Sequence, residues 1–383
     1  MLITGVIYIV SIGVLYARTV IRRRNKLFIK PTDAIDTPAL IIDMDALQRN
    51  IQTMSAFLRN RKIKLRPHFK TVKIPDIARL QIDAGAKGIT CSKLSEAEVL
   101  VSAGIADVLL ANQVADPAKI RRLAALAKRV RHLTVAVDSA DNVHDLSAAC
   151  ALAGSTLNVL VELDIGMGRC GVRDYNEGLA VARAVMEAPN LSFKGIQAYE
   201  GHLVLLPDME ARRSGASKAL SYVKGFKEYL EKNHIPVSEI SGGGTGTYSL
   251  ICAGDVYTEL QAGSYIYMDA RYGKLGLPFE NALYILGMVM AKRPGLAIID
   301  AGLKCLTTDG GDPVIPGFEQ SSFHLSEEHC TLDDPDDRLG ICDTVAFIPG
   351  HCCTNINVFD IAYGVRNGKV EKVFEVKGRG KSQ

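Results

Sequence analysis

The stretch Arg66-Pro67-His68-Phe69-Lys70-Thr71-Val72-Lys73 follows a short strand-like run, Lys64-Leu65, and precedes a helical pattern. Lys70 therefore stands where a strand is expected to end, with two basic side chains close by in the sequence. Cationic neighbours favour the neutral, nucleophilic form of an amine, which is the form that condenses with an aldehyde. The stretch fits either a Schiff-base lysine, with His68 as a further catalytic candidate, or a solvated basic turn.

Short apolar runs alternate with amphipathic helical patterns from Ala39 onward. Strands that are separated by helix-length segments are typical of βαβ units, and eight such units predict a (β/α)8 barrel of the TIM type. The predicted strands are residues 64–70, 88–91, 108–111, 133–138, 157–163, 195–199, 239–241 and 259–262. The alternative is an open doubly wound sheet, which would have a glycine-rich turn where this chain has residues 66–70.

Two small-residue loops follow the seventh and eighth predicted strands, where barrels of this type bind phosphate. They read Ser241-Gly242-Gly243-Gly244-Thr245-Gly246-Thr247-Tyr248 and Gln261-Ala262-Gly263-Ser264-Tyr265-Ile266-Tyr267. Small residues let backbone N–H groups converge on an anion, hydroxyl groups add donors, and Tyr265 or Tyr267 would add a phenol. A strand-one lysine and a phosphate site together predict pyridoxal 5′-phosphate, which offers an aldehyde to the amine and a phosphate to the loops.

Two further strand ends carry candidate residues. The glycines of Asp164-Ile165-Gly166-Met167-Gly168-Arg169 would turn Arg169 inward, where it could hydrogen-bond the phenolic oxygen of the cofactor. After the sixth strand, Tyr199 could face the pyridine ring, and Glu200 or His202 could serve as a base. A solvated arginine, a packed tyrosine and a surface glutamate remain open alternatives.

The helical rhythm stops near residue 281, and short alternating runs predict a second, all-β domain. We expect residues 45–275 to form the barrel, and residues 31–44 and 276–383 to form the β domain. Within the latter, His351 and Cys353 stand at i and i+2, so on an extended segment they would point to the same side. Both residue types bind zinc, but two ligands make only half a site, and a buried cysteine beside a loop histidine is the alternative.

The first thirty residues form an apolar run followed by a basic flank. Residues 2–21 approach the length of a spanning helix, and the flanking positive charge predicts a signal-anchor that leaves the body of the protein facing the cytoplasm. An interfacial helix or a misassigned start codon is the alternative. The net charge of +3, without a basic stripe interleaved with aromatic residues, disfavours nucleic acid as a partner. Nine cysteines without framework spacing indicate reduced thiols.

Seven motifs in order resemble one family of enzymes: RPHFKTVK, LDIGMGRCGV, GIQAYEGH, SGGGTGTY, ELQAGSYIYMDARYG, DAGLK and PGHCC. They are similar to the fold-type III pyridoxal-phosphate enzymes of the D-threonine aldolase and 3-hydroxy-D-aspartate aldolase group, with D-serine dehydratases as near relatives and the alanine racemase barrel as a more distant one. The resemblance implies a dimer, with Lys70 as the Schiff-base lysine and His351 as a metal ligand. It also places Arg169 and Tyr199 near the pyridine ring. The residues implied near the phosphate are Gly243, Gly244, Thr245, Gly263 and Ser264.

One departure from the aldolase pattern concerns the metal pair. The aldolases of this group resemble each other in a His-x-Asp pair suited to Mg²⁺ or Mn²⁺, whereas Cys353 in this chain favours zinc and is similar to the dehydratases. The resemblance therefore implies a metal-dependent lyase that cleaves the Cα–Cβ bond of D-3-hydroxy amino acids to glycine and an aldehyde. The alternatives are a dehydratase acting on D-serine or 3-hydroxyaspartate, which gives a 2-oxo acid, and a non-catalytic pyridoxal-phosphate carrier.

Overall fold

The computed structural model describes residues 35–383, which form two compact units. The larger unit comprises residues 49–266, 272–279 and 376–383, and the smaller comprises the described residues up to Gln48 together with residues 267–271 and 280–375. The predicted anchor over residues 2–21 and its basic flank lie outside the described part of the chain. Among residues 35–383, no helix has both the length and the hydropathy needed to cross a bilayer.

Strands and helices alternate through the larger unit, and strands dominate the smaller one. The strands are β1 (Ala39–Asp43), β2 (Lys64–Leu65), β3 (Ile89–Cys91), β4 (Asp107–Leu110), β5 (His132–Val137), β6 (Leu157–Glu162), β7 (Leu191–Gln197), β8 (Glu239–Gly242), β9 (Glu259–Leu260), β10 (Leu283–Arg293), β11 (Leu296–Ile299), β12 (Phe323–Leu325), β13 (Cys330–Asp333), β14 (Thr344–Phe347), β15 (Ile361–Arg366) and β16 (Lys369–Glu375). The helices are α1 (Met44–Leu58), α2 (Phe69–Val72), α3 (Pro75–Asp83), α4 (Leu94–Ser102), α5 (Pro117–Ala127), α6 (Ala140–Ala153), α7 (Tyr175–Glu187), α8 (Met209–Lys232), α9 (Tyr248–Ile251), α10 (Ala270–Gly273) and α11 (Cys352–Ile356), with a 3-10 turn at Ser264–Ile266.

The larger unit is a parallel barrel, which confirms the predicted fold. Strands β2 to β9 form one eight-stranded sheet in the order β2-β9-β8-β7-β6-β5-β4-β3, and every neighbouring pair is parallel. A parallel bridge between His68 and Thr90 joins the first strand to the second and closes the sheet. Interior positions such as Val135, Leu160 and Ile196 are fully buried, as expected for strands covered by helices on the outside.

The first barrel strand is shorter than the predicted residues 64–70, and Lys70 does not lie in it. Regular pairing with β9 ends at Leu65, and Pro67 has no N–H group with which to continue a ladder. His68 is extended and caps α2, because its Nδ1 accepts the N–H of Lys70 at 3.3 Å. The lysine therefore stands in a single helical turn just beyond the strand.

Arg66 is not a cationic neighbour of the lysine, contrary to the expectation from sequence. Its side chain is 2% exposed and donates to Glu259 Oε2 at 2.8 Å and to Asp107 Oδ1 at 2.6 Å. A buried guanidinium needs such carboxylates to offset the loss of hydration. The residue thus belongs to the ionic core of the barrel.

The smaller unit is mostly strand. Its sheet runs in the order β12-β13-β11-β10-β1-β15-β16, with β14 also paired to β10. Strand β1 precedes the barrel in sequence, yet it pairs antiparallel with β10 and parallel with β15. One apolar cluster of this unit, which includes Ile41, Leu286 and Val365, shows that strands from both ends of the chain share a core.

Candidate active site

Lys70 lies in the larger unit between an imidazole and a phenol ring. Helix α2 begins after His68 and carries the lysine in its first turn, with the side chain half-buried. The amine Nζ lies 5.7 Å from the centroid of the Tyr199 ring, which follows strand β7. The amine is thus held beside an aromatic face at the C-terminal end of the strands, where barrels place their chemistry.

The surroundings of His68 are cationic. Burial lowers the pKa of His68 well below its usual value, and the charges of Lys70, Lys73 and Arg169 lower it further. Lys73 is itself paired with Glu96, Nζ to Oε1 at 2.8 Å. The imidazole is therefore neutral near pH 7, and the remaining positive charge makes this end of the barrel attractive to an anion.

The seventh loop comes so close to a neighbouring backbone that it needs glycine. A Cβ built on Gly246 would lie 1.7 Å from the carbonyl oxygen of Val204, and one on Gly244 would lie 2.5 Å from the Val204 side chain. Gly243 has φ +81°, a conformation that L side chains rarely adopt. The loop therefore runs close against the Val204 segment in a backbone conformation that favours glycine, and small-residue loops of this kind are typical of anion-binding sites.

The eighth loop is joined both to the seventh loop and to the lysine turn. The Oγ1 of Thr245 accepts the backbone N–H of Tyr265 at 2.9 Å. A Cβ on Gly263 would lie 2.8 Å from Thr71 Oγ1 and 3.2 Å from His68 Cβ, so this loop packs directly on the turn that holds Lys70. The structure therefore brings the lysine and both predicted phosphate loops together within one unit.

The ring of Tyr199 completes the same cluster. A Cβ on Gly244 would lie 3.5 Å from Tyr199 Cε2, so the phenol ring borders the seventh loop as well as the amine of Lys70. Among the residues predicted near the phosphate, Ser264 begins the 3-10 turn after Gly263 and is buried. An aromatic face, a lysine and two glycine-rich loops together fit a planar pyridine ring with an aldehyde and a phosphate.

The phenol of Tyr265 is hydrogen-bonded to a glutamine of helix α3. The side chain is fully buried, and its hydroxyl accepts the Nε2–H of Gln81 at 2.7 Å. Burial also raises the pKa of the Tyr265 hydroxyl. The backbone N–H of Tyr265 joins the two loops. Residue type alone cannot tell such a backbone contact from a contact made by the phenol.

Glu200 supports the seventh loop from behind. The side chain is fully buried and accepts the hydroxyl of Thr247, whose oxygen in turn accepts the N–H of Gly244 at 3.2 Å. Burial raises the pKa of Glu200, and hydrogen bonds from Thr247 and from the loop backbone oppose that rise. His202 is exposed, and its ring packs on Gly166, where an added Cβ would lie 2.9 Å from Cε1. The assignment of either residue as a base stays a prediction.

Glu162 is a site candidate that the sequence analysis missed. It ends strand β6, is 5% exposed, and accepts the Nε2–H of Gln113 at 2.7 Å. Burial raises the pKa of Glu162, while the hydrogen bond from Gln113 and the charge of Arg169 oppose this. The signal that could have found it is a carboxylate at the end of the mostly apolar strand sequence LNVLVE. The charge of Glu162 interacts with that of the exposed Arg169.

The smaller unit holds the His-Cys pair in a geometry that differs from the prediction. His351 is extended, but it is the N-cap of α11, so Cys352 and Cys353 are helical rather than extended. The thiol of Cys353 nevertheless hydrogen-bonds the His351 side chain. Cys352 is fully buried, and its backbone N–H donates to Asp269 Oδ2 at 3.1 Å. The pair is thus brought together by a helix start rather than by strand alternation.

Asp309 orients the histidine of this pair. Its Oδ2 lies 2.6 Å from His351 Nδ1, and its Oδ1 accepts the hydroxyl of Thr354 at 2.6 Å. Burial alone would raise the pKa of Asp309, but the hydrogen bonds from His351 and Thr354 outweigh it and lower the pKa. A carboxylate on Nδ1 leaves Nε2 for a ligand, as in many metal sites. Within residues 35–383, no group of three or more His, Cys, Asp or Glu side chains could hold a metal ion.

Comparison with known proteins divides the chain in the same places. Residues 42–271 match the family model described as alanine racemase, N-terminal domain, and residues 282–365 match the one described as putative serine dehydratase domain. The chain is 42% identical over 359 residues to a 3-hydroxy-D-aspartate aldolase of Paracoccus denitrificans (strain Pd 1222), covering 91% of this chain and 93% of that protein. The crystal structure of D-threonine aldolase from Filomicrobium marinum superposes with a TM-score of 0.88 at 37% identity, covering 91% and 96% of the two chains.

A dehydratase is also similar. The D-threo-3-hydroxyaspartate dehydratase of Delftia sp. (strain HT23) is 32% identical over 350 residues, covering 83% of this chain and 91% of that protein. Its solved structure has a TM-score of 0.82, and a cysteine-to-alanine mutant of it was solved in a metal-free form. Sequence identity is therefore higher to the aldolases, whereas Cys353 is the feature that resembles the dehydratases.

The cationic surroundings of His68 predict how stability depends on pH. Because its pKa is lowered in the folded state, the unfolded chain binds the proton more readily, and stability should fall as the pH drops below about 6.5, by up to ~1.4 kcal/mol per pH unit. His68→Asn keeps a capping side chain without this titration, so urea unfolding at pH 7 and pH 5 should show a smaller loss than the wild type. His144→Asn, at an exposed site of α6, is the control. Equal losses in all three proteins would contradict the assignment.

Proposed function

The chain belongs to the alanine racemase N-terminal domain family, and we propose that it is a pyridoxal-phosphate-dependent lyase that cleaves the Cα–Cβ bond of D-3-hydroxy amino acids to glycine and an aldehyde. The observation that carries the proposal is the cluster of Lys70, Tyr199 and two glycine loops, in a chain 42% identical to a 3-hydroxy-D-aspartate aldolase. The second, strand-rich unit argues against a simple cofactor carrier, because a carrier would fit within the ~250 residues of a barrel.

The larger unit would hold pyridoxal phosphate through residues that fit its groups. Lys70 would bond the aldehyde carbon, Tyr199 would pack on the ring, and Arg169 would approach the ring oxygen. The glycine-rich loops that contain Gly244 and Gly263 would bind the phosphate through backbone N–H groups. The cofactor supplies an electron sink for the bond that breaks.

The smaller unit would supply the metal ligands. His351 and Cys353 contact each other, Asp309 fixes the imidazole, and nitrogen with thiolate sulfur is a donor set suited to zinc. When a metal is bound, the chemistry available there is polarisation of an oxygen ligand, such as the β-hydroxyl of a substrate. Two protein ligands would leave positions open for water and substrate.

A dehydratase is the second candidate, and Cys353 is the observation that favours it. In that reaction Lys70 would remove the α-proton. His351 and Cys353 would hold a metal that supplies Lewis-acid assistance to the leaving β-hydroxyl. The proposal further includes a homodimer, which the family resemblance implies. The predicted anchor at residues 2–21 stays a prediction.

Product analysis separates the two reactions. On incubation with D-threonine, D-3-hydroxyaspartate and D-serine, the wild type should release glycine with acetaldehyde from the first and glycine with glyoxylate from the second, because Cα–Cβ cleavage divides each substrate between these two products. The L-enantiomers and the Lys70→Ala variant serve as controls and should give no product. Release of a 2-oxo acid and ammonia in place of glycine would overturn the aldolase in favour of the dehydratase.

Metal preference tests the pair in the smaller unit. Cys353→Asp replaces a soft ligand with a hard one, so chelated protein should regain activity better with Mn²⁺ than with Zn²⁺, the reverse of the wild type. Cys353→Ala should weaken zinc binding by at least the roughly 10–100-fold that loss of an outer-shell partner costs.

Calorimetric titration of zinc provides the measurement, and Cys342→Asp, at an exposed cysteine of the same unit, provides the control. If Cys342→Asp and Cys353→Asp bind zinc as the wild type does, Cys353 is not a ligand.

A further inference from the structure

Arg271 lies beside the His-Cys pair within the smaller unit. Helix α10 carries it, and its backbone N–H donates to Asp269 Oδ1 at 3.1 Å. A Cβ built on Gly310 would lie 2.9 Å from Arg271 Nε and 3.0 Å from its Cζ, and 2.8 Å from His351 Cβ. The guanidinium and the histidine are therefore neighbours across a residue that has no side chain, and the charge of the arginine acts on the imidazole.

The guanidinium of Arg271 has no carboxylate partner among residues 35–383, and its buried Nε has no hydrogen-bond partner there. Of the other arginines of the same unit, Arg338 lies near Asp334, Arg366 pairs with Asp45 and Glu371, and Arg293 is exposed on β10. Buried donors in folded proteins are nearly always satisfied, so an unsatisfied cation beside a candidate metal pair points to a ligand that the protein itself does not provide.

We propose that Arg271 binds the distal carboxylate of a 3-hydroxy-dicarboxylic D-amino acid and sets the preference for 3-hydroxyaspartate over D-threonine. The inference rests on the proposed function, in which the β-hydroxyl binds at His351 and Cys353. In 3-hydroxyaspartate the distal carboxylate is bonded to the carbon that carries this hydroxyl, so it must lie next to the pair. D-Threonine has a methyl group at that place, and the planar guanidinium, with its fork of N–H donors, matches a carboxylate.

The position of Arg271 beside the His-Cys pair also distinguishes binding of the distal carboxylate from binding of the α-carboxylate. The α-carboxylate is one carbon further from the hydroxyl, and every substrate of the proposed reaction carries it. Loss of an α-carboxylate contact would therefore affect all substrates alike. Loss of a distal contact affects only the dicarboxylic substrate, because a methyl group gains nothing from the cation. Arg271 is thus a specificity residue, and its signature is a difference between two substrates.

The first experiment compares Arg271→Gln with the wild type on D-3-hydroxyaspartate and D-threonine, using the holoenzyme with its metal. A hydrogen bond to a charged group is lost, so kcat/KM for hydroxyaspartate should fall roughly 10–100-fold, mainly through KM, while kcat/KM for D-threonine stays near that of the wild type. Arg271→Lys should restore part of the affinity, and Arg293→Gln, at an exposed site of β10, should change neither value. An equal loss on both substrates, or no loss on either, overturns the proposal.

The second experiment uses binding, so that it does not depend on turnover. Calorimetry of the holoenzyme with succinate and with butyrate measures how much a second carboxylate adds to binding affinity, because neither acid reacts. Succinate should bind more tightly than butyrate to the wild type, and Arg271→Gln should remove that difference. If the glutamine variant fails to fold, the wild type and Arg271→Lys provide the comparison, and equal binding of both acids to the wild type counts against the proposal.

Failure of the proposed function is seen separately. In that case the wild type cleaves neither amino acid, whereas failure of the role of Arg271 leaves cleavage intact and unselective.

Discussion

The candidate site depends on backbone segments that approach more closely than any side chain would allow. Gly246 runs against the carbonyl of Val204, and Gly263 packs on Thr71 and His68 in the turn that carries Lys70. Each contact brings loop N–H groups and the lysine amine toward the same end of the barrel. An alanine at Gly246 would put its Cβ 1.7 Å from an oxygen, so the loop would have to move. The buried Glu200 and Thr247 hold the seventh loop from the other side.

The cationic side chains of the barrel differ in whether a carboxylate pairs with them. Lys73 is paired with Glu96, whereas Arg66 is paired with Glu259 and Asp107, which begin strands β9 and β4 at the opposite end of the barrel. Lys70 and Arg169 remain to act on an anionic ligand. Burial lowers the pKa of His68, and the charges of Lys70, Lys73 and Arg169 lower it further. In the smaller unit the same logic applies to Arg271, whose charge no described carboxylate offsets.

The sequence allowed prediction of the barrel, the lysine and the phosphate loops, because strand periodicity and glycine clusters are local signals. It could not locate the end of the first strand, since Pro67 and the cap made by His68 decide it together. Tyr265 and Arg66 hydrogen-bond Gln81 and Glu259, which are distant in sequence, so residue type alone could not predict these contacts. Asp309 escaped assignment for the same reason, because its partner His351 is 42 residues away.

The helix at residues 352–356 was likewise not predicted, because an extended segment was expected there, and this helix start is what brings His351 and Cys353 together. Local patterns thus predicted which residues meet, while long-range hydrogen bonds decided what each of them does. Whether the reaction is that of an aldolase or a dehydratase also depends on such long-range contacts, because it depends on one metal ligand and on the groups around it. Chemistry on a shared fold is set by such details rather than by the fold.

The central claim is that Lys70 is the residue that binds pyridoxal phosphate covalently. The most direct test is to reduce the cofactor-loaded protein with borohydride, digest it, and locate the pyridoxyl group by mass spectrometry. We expect the modification on the peptide that contains Lys70 and its absence from the Lys70→Ala protein. A pyridoxyl group on another lysine, or on none, would contradict the claim.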